Sequence, residues 1–140
     1  MKAKSIAGLL GCCLAAAGVA NAAGAPPPDL AVARKALAKA IAAHDLKEVA
    51  GLSHFPLVIS EFQMPPTLPQ QKFLTDKARF TDIFADGQTV DCIRDSAPDF
   101  ALDPKNFGAD SWSIDCNGYD YYFAKRDGGW RLIGFANINE

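Results

Sequence analysis

Residues 112–138 read WSIDCNGYDYYFAKRDGGWRLIGFANI. Asn117-Gly118 separates two runs in which apolar and polar residues alternate, and an Asn-Gly pair in that setting predicts a type I′ hairpin turn, because both of its residues tolerate positive φ. A two-residue turn sets the register of the strands it joins. Cys116 then faces Tyr119, Asp115 faces Asp120, Ile114 faces Tyr121, Ser113 faces Tyr122 and Trp112 faces Phe123. Asp127-Gly128-Gly129 predicts a second hairpin, from Tyr119–Lys125 into Trp130–Ile138. The phase of that last strand stays open. Either Leu132, or Ile133 with Phe135, turns to the core, and the other set is exposed.

The predicted register sorts the first hairpin into two faces. One carries Trp112, Ile114, Cys116, Tyr119, Tyr121 and Phe123. A core face is the favoured reading, and the wall of a pocket is the alternative. The phenols argue for the pocket, since a buried hydroxyl needs a hydrogen-bond partner, and Trp112, Tyr119, Tyr121 and Phe123 are its candidate binding residues. The other face sets Asp115 across from Asp120, a mildly unfavourable pair of like charges. Solvation or Arg131 on the next strand is expected to relieve it, while a cation site or an acid–base carboxylate is the sharper alternative.

Upstream, the pattern is helical. Asp29–His44 places Leu30, Ala33, Leu37, Ala40, Ile41 and His44 on one stripe, with Arg34, Lys35 and Lys39 mainly off it. Asp29 is the expected cap. Asp45-Leu46-Lys47-Glu48 is a capping-box pattern that opens a second, short helix. A strand is expected over Phe55–Phe62, irregular chain over Met64–Pro69, and a third helix over Lys77–Phe84 behind a Thr75-Asp76 cap. Gln88–Arg94, which contains Cys92, reads as a strand. Asp95–Asp110 reads as a long acidic loop with Pro98 and Pro104, suited to a lid or a partner-binding role.

Helices followed by an antiparallel meander make an α+β domain, with helices on one face of a curved sheet. The paired-helix opening LAVARKALAKAIAAHDLKEVAGL (30–52), the strand FPLVI (55–59) and the ending YYFAKRDGGWRLIGFANIN (121–139) resemble the NTF2-like (cystatin-like) superfamily. The resemblance covers most of residues 29–138. It implies a cone of sheet and helices whose open end can hold a pocket. It does not imply one activity, because the fold hosts enzymes, binders and immunity proteins alike.

The chain begins with Lys2 and Lys4, an apolar run from Ile6 to Ala20, and Ala20-Asn21-Ala22 at signal-peptidase spacing. Residues 1–22 therefore read as a secretory signal peptide, followed by an Ala/Pro leader over 23–28 and a single domain over 29–140. Leu9-Leu10-Gly11-Cys12 resembles a lipobox, which makes a lipid anchor at Cys12 the alternative to cleavage at Ala22. The expected location is periplasmic or secreted. No run is long and apolar enough for a membrane span. Removing Lys2 and Lys4 from the 14 basic residues leaves 12 against 16 acidic ones, and no basic run remains to bind nucleic acid. Cleavage also leaves one cysteine pair, Cys92 and Cys116, and an oxidising compartment predicts that they form a disulfide.

The remaining constellations are weak. Asp95, Asp99, Asp103 and Asp110 match no calcium-loop spacing. His44 and His54 form no zinc-type pair, and Ser53-His54 lacks a nucleophile elbow. No catalytic residue, metal or cofactor is assigned. The expected function is an exported, non-enzymatic binding protein for a small ligand or a protein partner, of the kind found among immunity and inhibitor proteins. Two alternatives stand beside it. One is a small isomerase or dehydratase using Tyr121 with Asp91. The other is an accessory subunit that forms a homodimer through Ile133 and Phe135.

Overall fold

The structure is a computed structural model and describes residues 24–84 and 87–139. The expected signal peptide and the Cys12 lipobox lie outside the described residues. Along the chain come α1 (Pro28–Ala42), α2 (Leu46–Gly51), β1 (Ser53–Ser60), β2 (Thr67–Leu68), α3 (Gln70–Thr75), α4 (Lys77–Ile83), α5 (Gln88–Asp95), β3 (Asp99–Phe100), α6 (Pro104–Phe107), β4 (Trp112–Cys116), β5 (Tyr119–Arg126) and β6 (Gly129–Asn137). The strands form one six-stranded sheet in the order β2-β1-β6-β5-β4-β3. The domain is α+β, with helices on a curved sheet. All pairs are antiparallel except β1 with β6, which run parallel because the helical segments α3–α6 and the meander intervene between them.

The β4–β5 register is the one the Asn117-Gly118 turn dictates, from Cys116 opposite Tyr119 to Trp112 opposite Phe123. Both turn residues have positive φ, 58° and 89°, and Asp127 and Gly128 repeat the geometry at 55° and 82° between β5 and β6. The open question about the last strand has an answer that neither alternative contained. Tyr122 pairs with Gly134 and Phe123 with Leu132, so Ile133 is the extra residue of a β-bulge. The bulge turns Leu132 and Phe135 together into the main core, while Ile133 packs on the opposite face. None of the three is left exposed.

The main core lies between the helices and the inner face of the sheet. Leu37, Ile41, Phe73, Ile83 and Ile93 meet Leu57, Tyr121, Phe123 and Phe135 there. A second, smaller core covers the outer face. In it Phe107 of α6 stacks flat on Tyr122 at 3.6 Å between ring centroids, beside Ala124, Ile133 and Ala136. Central strand β5 is therefore buried on both faces from Asp120 to Ala124. Gly134 makes the second core possible. A Cβ there would lie 2.5 Å from Phe107 Cε1 and 2.6 Å from the Val58 carbonyl oxygen.

Several segments depart from their expected form. Gln88–Arg94 is not a strand but the body of α5. Its β-branched residues suggest a strand, yet Thr89 and Ile93 are its two buried residues, one helical turn apart. Tertiary contacts decide the matter, as they often do for short β-branched runs. The Cys92–Cys116 disulfide is present and fastens this helix to the end of β4. Closing a loop of 24 residues stabilises the fold by on the order of 3 kcal/mol in the chain-entropy model. Arg34 is not off the helical stripe. It is buried 6% exposed, its Nε donating to the Ile93 carbonyl at 2.8 Å and its Nη2 to the Ser96 carbonyl. The guanidinium thus satisfies carbonyls at the C-terminal end of α5, where a cation is favoured. Burial holds its pKa below the ordinary arginine value, against the opposing pull of Asp95.

Smaller differences follow the same logic. Asp29 sits inside the first turn of α1 rather than capping it, and accepts the Trp130 indole N–H at 2.9 Å. Asp45 and Asp76 do cap α2 and α4, each accepting a backbone N–H. β1 ends at Ser60, and Pro56 falls inside the interruption of its ladder with β6. The proline-rich segment expected to be irregular contributes β2, pairing Leu68 with Leu57. The acidic loop 95–110 contains β3 and the single turn α6.

Three stability predictions come from this packing. Gly134→Ala is expected to destabilise the domain by about 1–3 kcal/mol, because Phe107 must leave its stack on Tyr122. Gly51, whose Cβ would meet nothing within 4 Å, is the control: Gly51→Ala is expected to be neutral or stabilising by about 0.5–1 kcal/mol. Urea midpoints at constant slope check both. Arg34→Met is expected to lose roughly 2–3 kcal/mol in the same assay, since it keeps the bulk but strands two carbonyls.

Candidate functional site

The four residues expected to line a pocket are placed in the packed interior. Tyr121 and Phe123 are each 1% exposed, Trp112 is buried, and Tyr119 is half-buried against the same core. Trp112 meets Phe100 edge-on at 4.9 Å, and Tyr119 stacks on Phe135 at 5.9 Å. The Tyr121 hydroxyl donates to the Ile83 carbonyl at 2.5 Å, an acceptor that the end of α4 would otherwise leave unpaired. The phenol's partner is therefore protein backbone. Tyr121 and Asp91 make different contacts: Asp91 is exposed and pairs with Arg94 at 3.0 Å.

Next to these rings lies a cleft of about 420 Å³ between the end of α1, α4 and α5. Ile41, Phe80, Phe84 and Val90 form its apolar lining, and His44 and Asp91 stand at its polar edge. Phe80 and Phe84, four residues apart, pack ring to ring at 5.1 Å, and Phe84 stacks on Tyr121 at 5.7 Å. The cleft is thus floored by core side chains already held in place. That rigidity favours binding, because little side-chain freedom is left to lose.

His44 owes its position to the backbone. α1 ends with the His44 N–H on the Ile41 carbonyl and the Asp45 N–H on the Ala40 carbonyl, both at 3.0 Å. This is a Schellman-type end, whose left-handed residue is usually glycine. His44 takes that conformation at φ 52°, at a cost on the order of 1 kcal/mol. The geometry turns its imidazole toward Phe80, with ring centroids 5.4 Å apart.

The other histidine stands apart. His54 Nδ1 lies 3.2 Å from the Asp127 carboxylate at the exposed β5–β6 turn. Ser53 Oγ donates to the Val49 carbonyl, so Ser53-His54 holds no activated nucleophile.

The acidic pair is split by its surroundings. Asp115 is exposed and accepts the Gly118 N–H at 2.9 Å, which stabilises the hairpin turn. Asp120 is 1% exposed, and its Oδ1 has no hydrogen-bond partner. Its Oδ2 lies 3.5 Å from the Tyr122 hydroxyl. Burial, then the charge of Asp115, push the Asp120 carboxyl up to about 6, against the hydrogen bond from Tyr122. Arg131, the expected neutralising partner, instead donates to the Gly51 carbonyl. Among the described residues, no group of three or more His, Cys, Asp or Glu side chains is placed to hold a metal ion.

Sequence reasoning missed the cleft, although two signals marked it. Phe80 and Phe84 recur at helical spacing, and a histidine follows α1 where glycine is usual. Their convergence was not visible, because it depends on Gln88–Asp95 being a helix. Among the described residues no helix is long and apolar enough to cross a membrane. No family model, curated protein or solved structure matches this chain.

Proposed function

We propose that this chain is an exported, NTF2-like binding protein that takes a small apolar or aromatic molecule into the cleft beside His44. The observation that carries the reading is the cleft itself, in which Phe80 and Phe84 supply an apolar floor while His44 and Asp91 supply polar atoms at one edge. Its volume, about 420 Å³, falls within the range of small-molecule sites. The ligand class is a compact ring or short chain with one polar end, the ring on Phe80 and the polar group toward Asp91 or His44. Strain at His44 supports the same site, since a non-glycine residue in the left-handed conformation sets an imidazole where a glycine would leave a gap. The leader over residues 1–22 and the Cys92–Cys116 disulfide support export to the periplasm or beyond. The helices leading into a curved sheet support the NTF2-like placement. The isomerase alternative gains no support, because it needs the Tyr121 phenol, which is held by the Ile83 carbonyl.

Two measurements test the proposal. Native mass spectrometry of the mature protein is expected to retain a small apolar mass. A co-purifying protein in its place would overturn the small-molecule reading. Titration with indole, followed by amide chemical shifts, is expected to move residues 41–44, 80–84 and 87–91 together. Shifts elsewhere, or none at millimolar indole, would overturn the assignment of the site. His44→Gly separates function from folding. It is expected to leave the melting temperature unchanged or raised, because glycine tolerates the left-handed conformation, and to weaken indole binding several-fold.

A further inference from the structure

The segment 96–111 is a strap that begins as the edge strand β3 and then carries α6 onto the outer face of the sheet. β3 hydrogen-bonds to β4, with Asp99 opposite Ser113 and Phe100 opposite Trp112. Farther along, α6 sets Phe107 on Tyr122, and Arg126 Nη1 closes the end of the strap on Asp110 Oδ2 at 2.8 Å. The same face holds the buried Asp120, whose Oδ1 has no partner.

The groups around that carboxyl are unfavourable to a negative charge. On β4 it faces the Asp115 carboxylate directly across the pair. From β3 the Asp99 carboxylate acts on it, and on its own strand the Tyr122 hydroxyl approaches at 3.5 Å. Asp103, at the start of α6, adds a further negative charge near Tyr122. Its partner on β6 is Ala136, which is uncharged. The arginines of β5 and β6 bond elsewhere, Arg126 to Asp110 and Arg131 to the Gly51 carbonyl. An ionised Asp120 thus has a dry, unpaired oxygen and acidic neighbours on two strands, a state costly to bury.

We infer that Asp120 makes the strap a pH-gated cover, which sits closed on Tyr122 when the carboxyl is protonated and lifts locally to hydrate it when the carboxyl ionises. The sign is set by linkage. A carboxyl raised to about 6 when covered, and near 4 when hydrated, binds its proton more tightly in the closed state. Closure is therefore strongest in acid and weakens as pH rises through about 6. Lifting uncovers Tyr122 and Ile133, an apolar strip hidden under α6. The titration thereby controls access to a second surface, independently of the cleft.

Hydrogen exchange by mass spectrometry near pH 5 and near pH 7.5, corrected for intrinsic exchange rates, tests this. Protection across residues 96–111 is expected to fall about tenfold at the higher pH, while α1 amides keep theirs. Asp120→Asn is expected to flatten the dependence. Asp115→Asn, a surface change that leaves the buried carboxyl in place, is expected to move its midpoint to lower pH. The proposal is overturned by pH-independent protection in the unaltered protein, by an equal loss in α1, or by a pH response that survives Asp120→Asn. If Asp120→Asn does not fold, an unmoved midpoint in Asp115→Asn overturns it alone.

Discussion

Helix α5 is held from two sides, and most of the inner architecture depends on that attachment. On one side the buried Arg34 guanidinium donates to the carbonyls of Ile93 and Ser96. On the other, the Cys92–Cys116 disulfide joins the helix to the end of β4. One bond is polar and the other covalent, and together they fix both the position and the rotation of an eight-residue helix that is too short to be stable alone. Its orientation sends Ile93 into the core and leaves Val90 and Asp91 as a wall of the cleft. An Arg34 freed from these carbonyls would leave a buried charge as well as two unpaired acceptors, so the contact has little tolerance for partial loss.

The sheet has its own constraint, the bulge at Ile133. Strict alternation would put Leu132 and Phe135 on opposite faces, because they are three residues apart. The extra residue reverses the phase between them, so both enter the main core and Ile133 serves the second one. Gly134 follows immediately and lets Phe107 approach the backbone. Bulge and glycine together convert an outer face that would otherwise meet water into a second packed layer. The apolar residues that an accessory subunit would use for dimerisation are consumed within the chain's own two cores.

That second layer explains why two carboxylates with the same chemistry differ. Asp115 reaches solvent and caps a turn, whereas Asp120 lies beneath covered structure without a partner for one oxygen. Natural interiors leave few polar atoms in that condition. The cleft beside His44 shows a related pattern, with a left-handed histidine where glycine would be less strained. In both places a local preference is overridden by surrounding structure that is well packed.

The local sequence by itself determined what short-range geometry controls. Asn117-Gly118 and Asp127-Gly128 set two turns, and the first set the register of five residue pairs. The 30–52 pattern determined the opening helices, and Cys92 with Cys116 was the pair expected once a leader carrying Cys12 and Cys13 is set aside. These features rest on backbone dihedrals and on periodicity. Tertiary structure decided the rest. Gln88–Asp95 became a helix because Thr89 and Ile93 found a core to enter, and Arg34 found its place only once that helix's carbonyls lay beside α1. The bulge at Ile133 and the burial of Asp120 likewise depend on elements distant in sequence, β5 with β6 for one and the covered outer face for the other. The physical reason is the range of the interactions: a turn is settled by adjacent residues, whereas burial is settled by whatever the folded chain brings against them.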